Sequence, residues 1–251
     1  MGHLSGLTRV LFLHAHPDDE TLATGALIAE LVAEGADVAV LTATRGERGD
    51  VVRGAVAQDR GLGDHRAEER AAALAVLGVR SSAFLGDPPA LGAGRPRRRY
   101  LDSGMVWVTP EVAGPAPHAG PDALTAAPLV EAAADAAAYL EWFRAQAVVS
   151  YDAFGGYGHP DHVACHQIAV AAARRAGVRC LEIVSEPHLA SAGPTAQTYD
   201  LPHRLPTVRD ALTRYASQLT VEGDEVVHVG GQREAIQTSV TLRPVRDGRA
   251  R

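Results

Sequence analysis

Short apolar runs alternate with longer amphipathic stretches over the first 184 residues of the chain. The apolar runs, such as Val10–Leu13, lack polar alternation, which is typical of strands buried on both faces of a parallel sheet. In the stretches between them, apolar residues recur every three or four positions, which predicts helices. Gly35, Gly78 and Gly177 directly follow three of these stretches and would end the helices there. The pattern therefore predicts an α/β fold with a Rossmann-like, doubly wound, mostly parallel sheet and helices on both faces.

The order of the predicted elements indicates where a ligand would bind. We expect strands at residues 9–15, 36–44, 82–85, 147–151 and 178–184. We expect helices at residues 21–34, 65–77, 128–143 and 162–176, with a weaker helix at 208–218 and a weaker strand at 225–229. If the strand order is 3-2-1-4-5, the first and fourth strands are neighbours at the topological switch point. Ligands bind there, so the active site is predicted at the carboxyl ends of strands 1 and 4.

The chain shows no internal repeat and no domain linker, so we expect one domain over residues 1–251, with its core at about residues 8–184. Periodicity is lost between residues 86 and 121, which predicts an irregular insertion. The basic run Arg95–Arg99 lies inside it. The preferred interpretation of this run is a solvated, mobile segment, and the alternative is contact with an anionic substrate group. The arginine-rich tail from about residue 243 is expected to be frayed.

Composition narrows the class of protein. The 251 residues are 46% hydrophobic and 22% charged, as in ordinary globular domains. The net charge of −6 disfavours a general nucleic-acid binder. No apolar run approaches the roughly 18 residues of a spanning helix, and the N-terminus lacks the pattern of a signal peptide. With two cysteines and no disulfide pattern, we expect a cytoplasmic protein that binds neither membranes nor nucleic acids. Its oligomeric state is left open.

Two clusters of ionisable side chains follow the first and fourth predicted strands. Residues 14–20 read His-Ala-His-Pro-Asp-Asp-Glu, and residues 159–162 read His-Pro-Asp-His. So much ionisable side chain at the end of a buried strand is costly unless something binds there. Imidazole nitrogen with carboxylate oxygen suits zinc and other divalent first-row metals. We therefore expect the two clusters to meet and to share one metal ion.

A hydrolytic zinc site usually has three protein ligands and a water, and His16, Asp19 and His162 can supply the three. Iron(II) could occupy the same ligands. A rival site uses His162 with His166, which lies four residues later on the same predicted helical face. Val163 weakens this rival, because it stands where the metalloprotease pattern His-Glu-x-x-His has glutamate.

The remaining polar residues suit the chemistry of hydrolysis. Zinc lowers the pKa of a bound water to about 7, so Asp18 can act as the base. His159 suits the acid for a departing amine, with Asp161 available to orient and charge its imidazole. The Tyr157 hydroxyl could help the metal hold the oxyanion. Each residue taken singly also has a plain structural interpretation, such as Asp161 capping the helix that follows it.

These motifs resemble the PIG-L/LmbE-type family of zinc-dependent N-deacetylases. The resemblance rests on His16-Pro17-Asp18-Asp19-Glu20 together with His159-Pro160-Asp161-His162, and covers roughly residues 8–184. Further matches are residues 44–50, 102–105 and 151–158. Within the family the chain is most similar to the mycothiol-pathway members, which deacetylate N-acetylglucosaminyl-inositol or cleave mycothiol S-conjugates. The insertion and the part after Glu186 depart from those members, which leaves the substrate open.

The resemblance implies a role for each matching residue. His16, Asp19 and His162 would hold zinc, Asp18 would be the base, and His159 and Tyr157 would stabilise the transition state. Arg66 and Asp102 fall where the family contacts sugar hydroxyls, and Asp50 where the mycothiol members approach the inositol. From the residues alone, Arg66 would pass as an ordinary exposed helix arginine.

We therefore expect a metal-dependent hydrolase that removes an acyl group, acetyl in the first instance, from a small-molecule amino-sugar conjugate. Within the enzyme class, the alternatives are a deacetylase for a glycosylated antibiotic precursor and a thiol-conjugate amidase. From a different class, the chain could be a nucleotide-binding α/β module. That alternative lacks a glycine-rich phosphate loop after the first strand, and carboxylates at this position would repel phosphate.

Overall fold

A seven-stranded sheet forms the centre of the structure, a computed structural model that describes residues 2–56 and 61–245. The helices are α1 (Asp19–Ala33), α2 (Leu62–Val76), α3 (Leu129–Phe143), α4 (Pro160–Ala176) and α5 (Leu205–Leu212). The strands are β1 (Arg9–His14), β2 (Asp37–Thr42), β3 (Ser81–Phe84), β4 (Met105–Trp107), β5 (Ala113–Pro115), β6 (Ala147–Tyr151), β7 (Arg179–Ile183), β8 (Gln197–Asp200), β9 (Leu219–Glu222), β10 (Glu225–His228), β11 (Arg233–Ala235) and β12 (Ser239–Pro244). Among the described residues, no helix combines the length and the apolar character needed to cross a bilayer.

The order of the parallel strands is the predicted one. The sheet runs β3-β2-β1-β6-β7-β12-β8, and its first five strands are mutually parallel. These five are the strands predicted over residues 9–184, so the order 3-2-1-4-5 is confirmed. All predicted helices and strands of that region are present, and their ends differ by at most three residues. The weaker prediction at 208–218 corresponds to α5, which begins and ends earlier.

The sheet extends beyond the predicted core. The strand β12 pairs antiparallel with β7, and β8 pairs antiparallel with β12. The core therefore does not end at residue 184. The prediction of a frayed tail from residue 243 is wrong for Arg243 and Pro244, which pair with Glu182 and Leu181 in β7. Arg246, Arg249 and Arg251 lie outside the described residues.

Both faces of the central strands β1, β2 and β6 are buried, which explains why these strands are largely apolar. Successive side chains of β1 point to opposite faces. Val10 and Phe12 pack in a cluster with α1, α5 and the end of α2, whereas Leu11 and Leu13 pack in a second cluster with α3 and α4. Each such side chain contributes about 1.5–3 kcal/mol by its removal from water. The two apolar layers hold the ends of the central strands in fixed positions.

The predicted irregular insertion contains a short hairpin. The strands β4 and β5 pair antiparallel, with Met105 opposite Pro115 and Trp107 opposite Ala113. The prediction of a wholly irregular segment is therefore wrong in this part. Three-residue strands next to glycine and proline are too short to give a period-2 pattern, which is why the sequence does not predict them.

The basic run Arg95–Arg99 is attached to the protein by ion pairs. Arg95 and Arg98 both lie within ion-pair distance of Glu131 in α3, at 2.8 and 3.4 Å. Arg99 pairs with Glu47 at 3.0 Å. Arg95 and Arg98 are partly buried, so the interpretation of a solvated run is wrong for these two, whereas Arg99 is exposed as predicted. The partners of all three are carboxylates of the chain itself.

The buried carboxylate of Asp135 is the main anchor of this loop. It accepts hydrogen bonds from the Gly92 N–H (2.8 Å), the Arg95 Nε–H (3.1 Å) and the Tyr100 hydroxyl (2.6 Å). We expect Asp135→Ala to lower the free energy of unfolding by about 3–5 kcal/mol, because it leaves buried donors without an acceptor. Denaturant unfolding followed by circular dichroism measures this loss.

The exposed ion pair between Arg9 and Asp37 (3.2 Å) provides the matched control. Both side chains are largely in water, so Asp37→Ala should cost no more than about 1 kcal/mol. Equal losses for the two variants would mean that the loop is not anchored at Asp135.

Candidate active site

The carboxyl ends of β1 and β6 bring the two ionisable clusters together. The two strands pair directly, with Val10 opposite Ala147 and Phe12 opposite Val149. His16 follows β1 by two residues, Asp19 is the first residue of α1, and His162 is the third residue of α4. The Oδ2 atom of Asp19 lies 3.1 Å from Nδ1 of His16 and 3.3 Å from Nε2 of His162. The predicted meeting of residues about 140 positions apart is thus present in the fold.

The two distances from Asp19 Oδ2 to the imidazole nitrogens fit a tetrahedral metal site. Ligand bonds of about 2.0–2.2 Å at tetrahedral angles place neighbouring ligand atoms about 3.4 Å apart. Both ring nitrogens of His162 are buried and have no hydrogen-bond partner among the described residues. Buried polar atoms are rarely left unsatisfied, so an unpaired imidazole facing a carboxylate indicates a place for a cation. The donor set therefore fits a divalent metal such as zinc.

Among the described residues, two groups of three bring one potential ligand atom each within 4.8 Å of one another, and neither contains Asp19. One consists of His16, His159 and His162, and the other of His16, Asp102 and Asp161. His159 is thus an alternative third ligand to Asp19. The Asp19 carboxylate is favoured because one of its oxygens approaches both of the other imidazoles, and because its negative charge would offset that of a dication.

The carboxylate of Asp161 orients His16. The prediction that it orients His159 is therefore wrong. The Asp161 Oδ2 lies 3.1 Å from Nε2 of His16 and accepts the Ser103 N–H at 2.9 Å. The Ser103 hydroxyl donates to the other carboxylate oxygen. His159 receives only the backbone N–H of Asp161, at its Nδ1. Among the described contacts, the Asp161 carboxylate therefore does not hydrogen-bond His159, and it fixes the ring of a candidate ligand instead.

Tyr151 holds the imidazole of His162 in place. Its ring stacks on His162, with centroids 4.1 Å apart and an interplanar angle of 9°. Its hydroxyl accepts the Ala15 N–H at 3.2 Å and lies 3.3 Å from Nδ1 of His14. His14 is buried and its Nε2 lies 3.0 Å from the Thr24 hydroxyl oxygen. Burial lowers the pKa of His14 to about 4, so a neutral imidazole supports the site from the end of β1.

Asp18 occupies a strained backbone position beside the candidate ligands. Its φ of 106° lies in the left-handed region, which costs a residue other than glycine about 1–3 kcal/mol. Its carbonyl accepts the N–H groups of Thr21 and Leu22, and so begins α1. Burial and the charge of Asp19 raise the pKa of Asp18 well above its ordinary value. A carboxyl with a raised pKa binds a proton more readily, which suits a base.

The neighbouring groups have their pKa values displaced in different directions. Burial opposes ionisation of Asp19, but the charge of His162 and the charge and hydrogen bond of His16 outweigh it and hold the Asp19 pKa well below its usual range. Burial also works against a charged His16, yet Asp102, Asp161 and Asp19 raise its pKa well above the ordinary value. Burial together with His16 and His162 lowers the pKa of His159 to about 3. Strongly displaced values in one cluster are typical of functional sites.

Tyr157 lies at the rim of the site on a glycine-rich turn. Its ring centroid is 5.3 Å from that of His162 and 5.9 Å from that of His159, and 38% of the residue is exposed. Gly156 and Gly158, on either side of it, have φ values of 71° and 88°. Only glycine adopts these values without strain, so the sequence Gly-Gly-Tyr-Gly makes the turn. Tyr157 is thereby placed beside the imidazoles with part of its side chain exposed.

A buried carboxylate fixes this turn to the sheet. Asp152 follows β6 and accepts the N–H groups of Phe154 and Gly155, at 3.1 and 3.2 Å. It also accepts the N–H and the hydroxyl of Ser185, which follows β7. The Ser185 oxygen in turn accepts the Gly156 N–H at 2.9 Å. Two strand ends therefore set the path of the segment that carries Tyr157.

The three predicted substrate contacts lie in different surroundings. Arg66 is buried, and its guanidinium donates to the carbonyl oxygens of Gly46 and Asp50. The interpretation of an ordinary exposed arginine is therefore wrong. Asp102 is buried with its Oδ1 3.8 Å from Nε2 of His16, close to the candidate metal ligands. The side chain of Asp50 is exposed, and the Arg66 bond to its carbonyl places it on the loop after β2.

The rival helical pair does not assemble. Nδ1 of His166 contacts the Tyr151 carbonyl oxygen at 2.9 Å and lies 3.7 Å from a carboxylate oxygen of Glu182. Within the described part of the chain, His166 belongs to no group of residues able to hold a metal. Glu20, next to Asp19, contacts the hydroxyls of Thr21 and Tyr215, so it supports α1 and does not orient a candidate ligand.

Comparison with known proteins agrees with this geometry. Residues 11–173 match the model of the family described as PIG-L: GlcNAc-PI de-N-acetylase. The chain belongs to the PIG-L family. The matched region contains both ionisable clusters and the strands β1 and β6 that carry them.

Two curated bacterial relatives and one solved structure illustrate the similarity. A 1D-myo-inositol 2-acetamido-2-deoxy-alpha-D-glucopyranoside deacetylase of Kineococcus radiotolerans is 40% identical over 215 residues, which cover 83% of this chain and 55% of that protein. The protein of the same description from Actinosynnema mirum is 38% identical over 95% of this chain and 82% of its own length. A deacetylase in complex with teicoplanin superposes with a TM-score of 0.62 at 22% identity, covering 96% of this chain and all of that one. At such identity the superposition shows a shared fold.

Proposed function

We propose that this chain is a zinc-dependent N-deacetylase that acts on an N-acetyl amino-sugar conjugate. The observation that carries the proposal is the approach of one Asp19 oxygen to imidazoles from both halves of the sheet, with Asp18 adjacent. The curated relatives, whose printed names describe deacetylases of an inositol-linked acetamido sugar, support it. The match spans only about half of the Kineococcus radiotolerans protein, so the substrate is part of the proposal.

Zinc would be held by His16, Asp19 and His162, where it would acidify the attacking water and polarise the amide carbonyl. The carboxylate of Asp18 would accept the proton of that water. Burial and the charge of Asp19 raise the pKa of Asp18, and the charge of Arg66 opposes this rise. General acid-base catalysis of this kind contributes typically about 10²–10⁴-fold.

His159 and Tyr157 would act on the other side of the amide. Nδ1 of His159 accepts a backbone N–H, so the neutral ring carries its proton on Nε2. We revise the predicted role of His159 as the acid for the departing amine: burial lowers its pKa to about 3, so the neutral ring would offer the transition state a hydrogen bond from Nε2. Asp18 would then return to the amine the proton that it took from the water. The Tyr157 hydroxyl is the second donor, and loss of one such donor typically costs about 10²–10³-fold in turnover.

Metal removal tests the proposal. We expect that dialysis against a chelator abolishes hydrolysis of N-acetylglucosaminyl-inositol and that one equivalent of zinc restores it, because the candidate ligands contribute no nucleophile of their own. Release of acetate and of free amine, measured against metal content, gives the result. Full activity in metal-free protein would contradict the proposal.

A substrate panel distinguishes the alternatives. The panel contains N-acetylglucosamine with and without inositol, a glycosylated antibiotic precursor and a thiol conjugate. The substrate that is hydrolysed fastest separates a sugar-conjugate deacetylase from an antibiotic-tailoring enzyme and from an amidase. Anaerobic reconstitution with iron(II) decides which metal supports turnover. Bound nucleotide without bound metal in the purified protein would instead support the nucleotide-binding module.

A further inference from the structure

The β4–β5 hairpin presents an apolar surface to water beside the candidate active site. Val106, Trp107 and Val108 are consecutive residues, and they are 42%, 49% and 68% exposed. Successive side chains of a strand point to opposite faces, so these three do not form one patch, and Trp107 is singled out because half of this large residue is exposed at the edge of the site. Nothing in the roles proposed above uses these three side chains.

This surface is continuous with the catalytic residues. The Trp107 ring stacks on that of Tyr157, with centroids 5.6 Å apart and an interplanar angle of 30°. The Ala113 N–H donates to the Tyr157 carbonyl at 2.8 Å. A Cβ atom added to Gly158 would lie 2.9 Å from the Ala113 carbonyl oxygen, so the hairpin lies directly against the turn. Trp107, Tyr157 and the imidazoles therefore form one unbroken row.

The base of the hairpin is fixed to the same site. Its first strand directly follows residues 102–104, and Ser103 binds both oxygens of the Asp161 carboxylate. The guanidinium of Arg48 donates to the Ser103 and His118 carbonyl oxygens, on either side of the hairpin. Both ends of the hairpin are thus held, which gives the exposed indole a defined position relative to His16 and His162.

We propose that Trp107 is a specificity-determining residue that packs against the ring joined to the N-acyl amino sugar. In the proposed function the reacting amide lies at the imidazoles and Tyr157. Trp107 lies next to Tyr157, so its ring would meet the group that is joined to the amino sugar. An indole offers a large flat apolar face, which suits a saturated ring that presents C–H groups on one side, such as a cyclitol or a second sugar. The inference rests on the proposed deacetylase function and adds its preference for a conjugate.

The chain offers a matched control, because it has two tryptophans and the second lies elsewhere. Trp142 is in α3, exposed to a similar extent, and stacks on Tyr139. We expect Trp107→Ala to lower kcat/KM for the inositol conjugate roughly tenfold more than for free N-acetylglucosamine, through KM, since one aromatic contact is lost. Trp142→Ala should leave the ratio of the two values as it is in the wild type.

Binding without turnover provides a second measurement. In Trp142→Phe protein the only fluorescent indole is Trp107, and adding Asp18→Asn prevents hydrolysis. Titration of the zinc-loaded variant with the phenyl and myo-inositol glycosides of N-acetylglucosamine should give a saturable emission change. The free sugar should give a smaller change. In the matched protein with Trp107→Phe and Trp142 retained, emission should not respond.

The outcomes separate the two proposals. If wild-type protein hydrolyses no N-acetyl sugar, the proposed function fails, and the titration still decides whether Trp107 contacts a glycoside. A second outcome is an active wild type in which Trp107→Ala lowers kcat equally for free and conjugated sugars and Trp107→Phe restores kcat. In that case Trp107 only supports Tyr157, and the specificity role is overturned. An unchanged ratio in Trp107→Ala, or no response of Trp107 emission, also overturns it.

Discussion

Replacing His162 with alanine is expected to remove both bound zinc and turnover. Of the three favoured ligands, His162 is the one from the far half of the sheet, and its two ring nitrogens are buried without a hydrogen-bond partner among the described residues. Removal of a group that only orients a ligand typically costs about 10–100-fold in metal affinity, so loss of a ligand itself should cost more. Metal analysis of the purified variant, together with acetate release, measures both effects.

His166→Ala is the matched control for this prediction. It removes an imidazole one helical turn away, whose Nδ1 contacts the Tyr151 carbonyl oxygen and not the candidate ligands. We expect this variant to retain zinc. Loss of metal from the His166 variant with retention in the His162 variant would support the helical pair of histidines and contradict the site described above.

The central strands could be located because one physical signal marks them, whereas their order is assumed from the doubly wound class of fold. Strands covered on both faces need continuous apolar runs, and the central strands β1, β2 and β6 have them. The outer parallel strands β3 and β7 have only one and two buried residues. The strand β8, Gln197–Asp200, lies at the sheet edge with no buried residue, so its sequence carries no such signal. The strand β12 alternates buried and partly exposed residues and recruits Arg243, which pairs with Glu182, so its sequence resembles a polar tail.

The sequence predicts which residues belong to the candidate site better than it predicts which of them contact one another. Clustering after two adjacent strands indicates that His16 and His162 meet, because topology brings strand ends together. The direction of a side chain is not encoded in spacing, so the partner of the Asp161 carboxylate is His16 instead of His159. Ser103 and Tyr151 lie within motifs that match the family, but only the fold shows that one binds Asp161 and the other stacks on His162.

Trp107 illustrates the opposite case, a residue with no signal in the pattern. A tryptophan in a stretch without periodicity predicts neither a strand nor a site. It gains a role only when β4 and β5 pair and place its ring on Tyr157. Residues that contact the variable part of a substrate are commonly found on such loops, which a rigid sheet positions.

Asp18 and Asp19 are neighbours in sequence with different expected roles, which allows a sharp test. We expect Asp18→Asn to lower turnover by roughly 10²–10⁴-fold with zinc content unchanged, because an amide cannot accept the proton of the attacking water. Asp19→Asn should instead lose zinc, because its carboxylate oxygen approaches both imidazoles. Single-turnover kinetics and metal analysis of the two variants separate a base from a ligand.

Asparagine is the better substitution at Asp18 because of the backbone there. At a φ of 106° alanine would add strain, whereas asparagine tolerates positive φ and nearly preserves the shape of the side chain. If Asp18→Ala lost turnover and also had a lower melting temperature, the loss could come from either the missing base or the strain. If Asp18→Asn lost turnover with normal stability, the loss would come from the missing base. Wild-type turnover in Asp18→Asn would show that the proton is taken elsewhere, while equal zinc loss in both variants would make Asp18 a ligand.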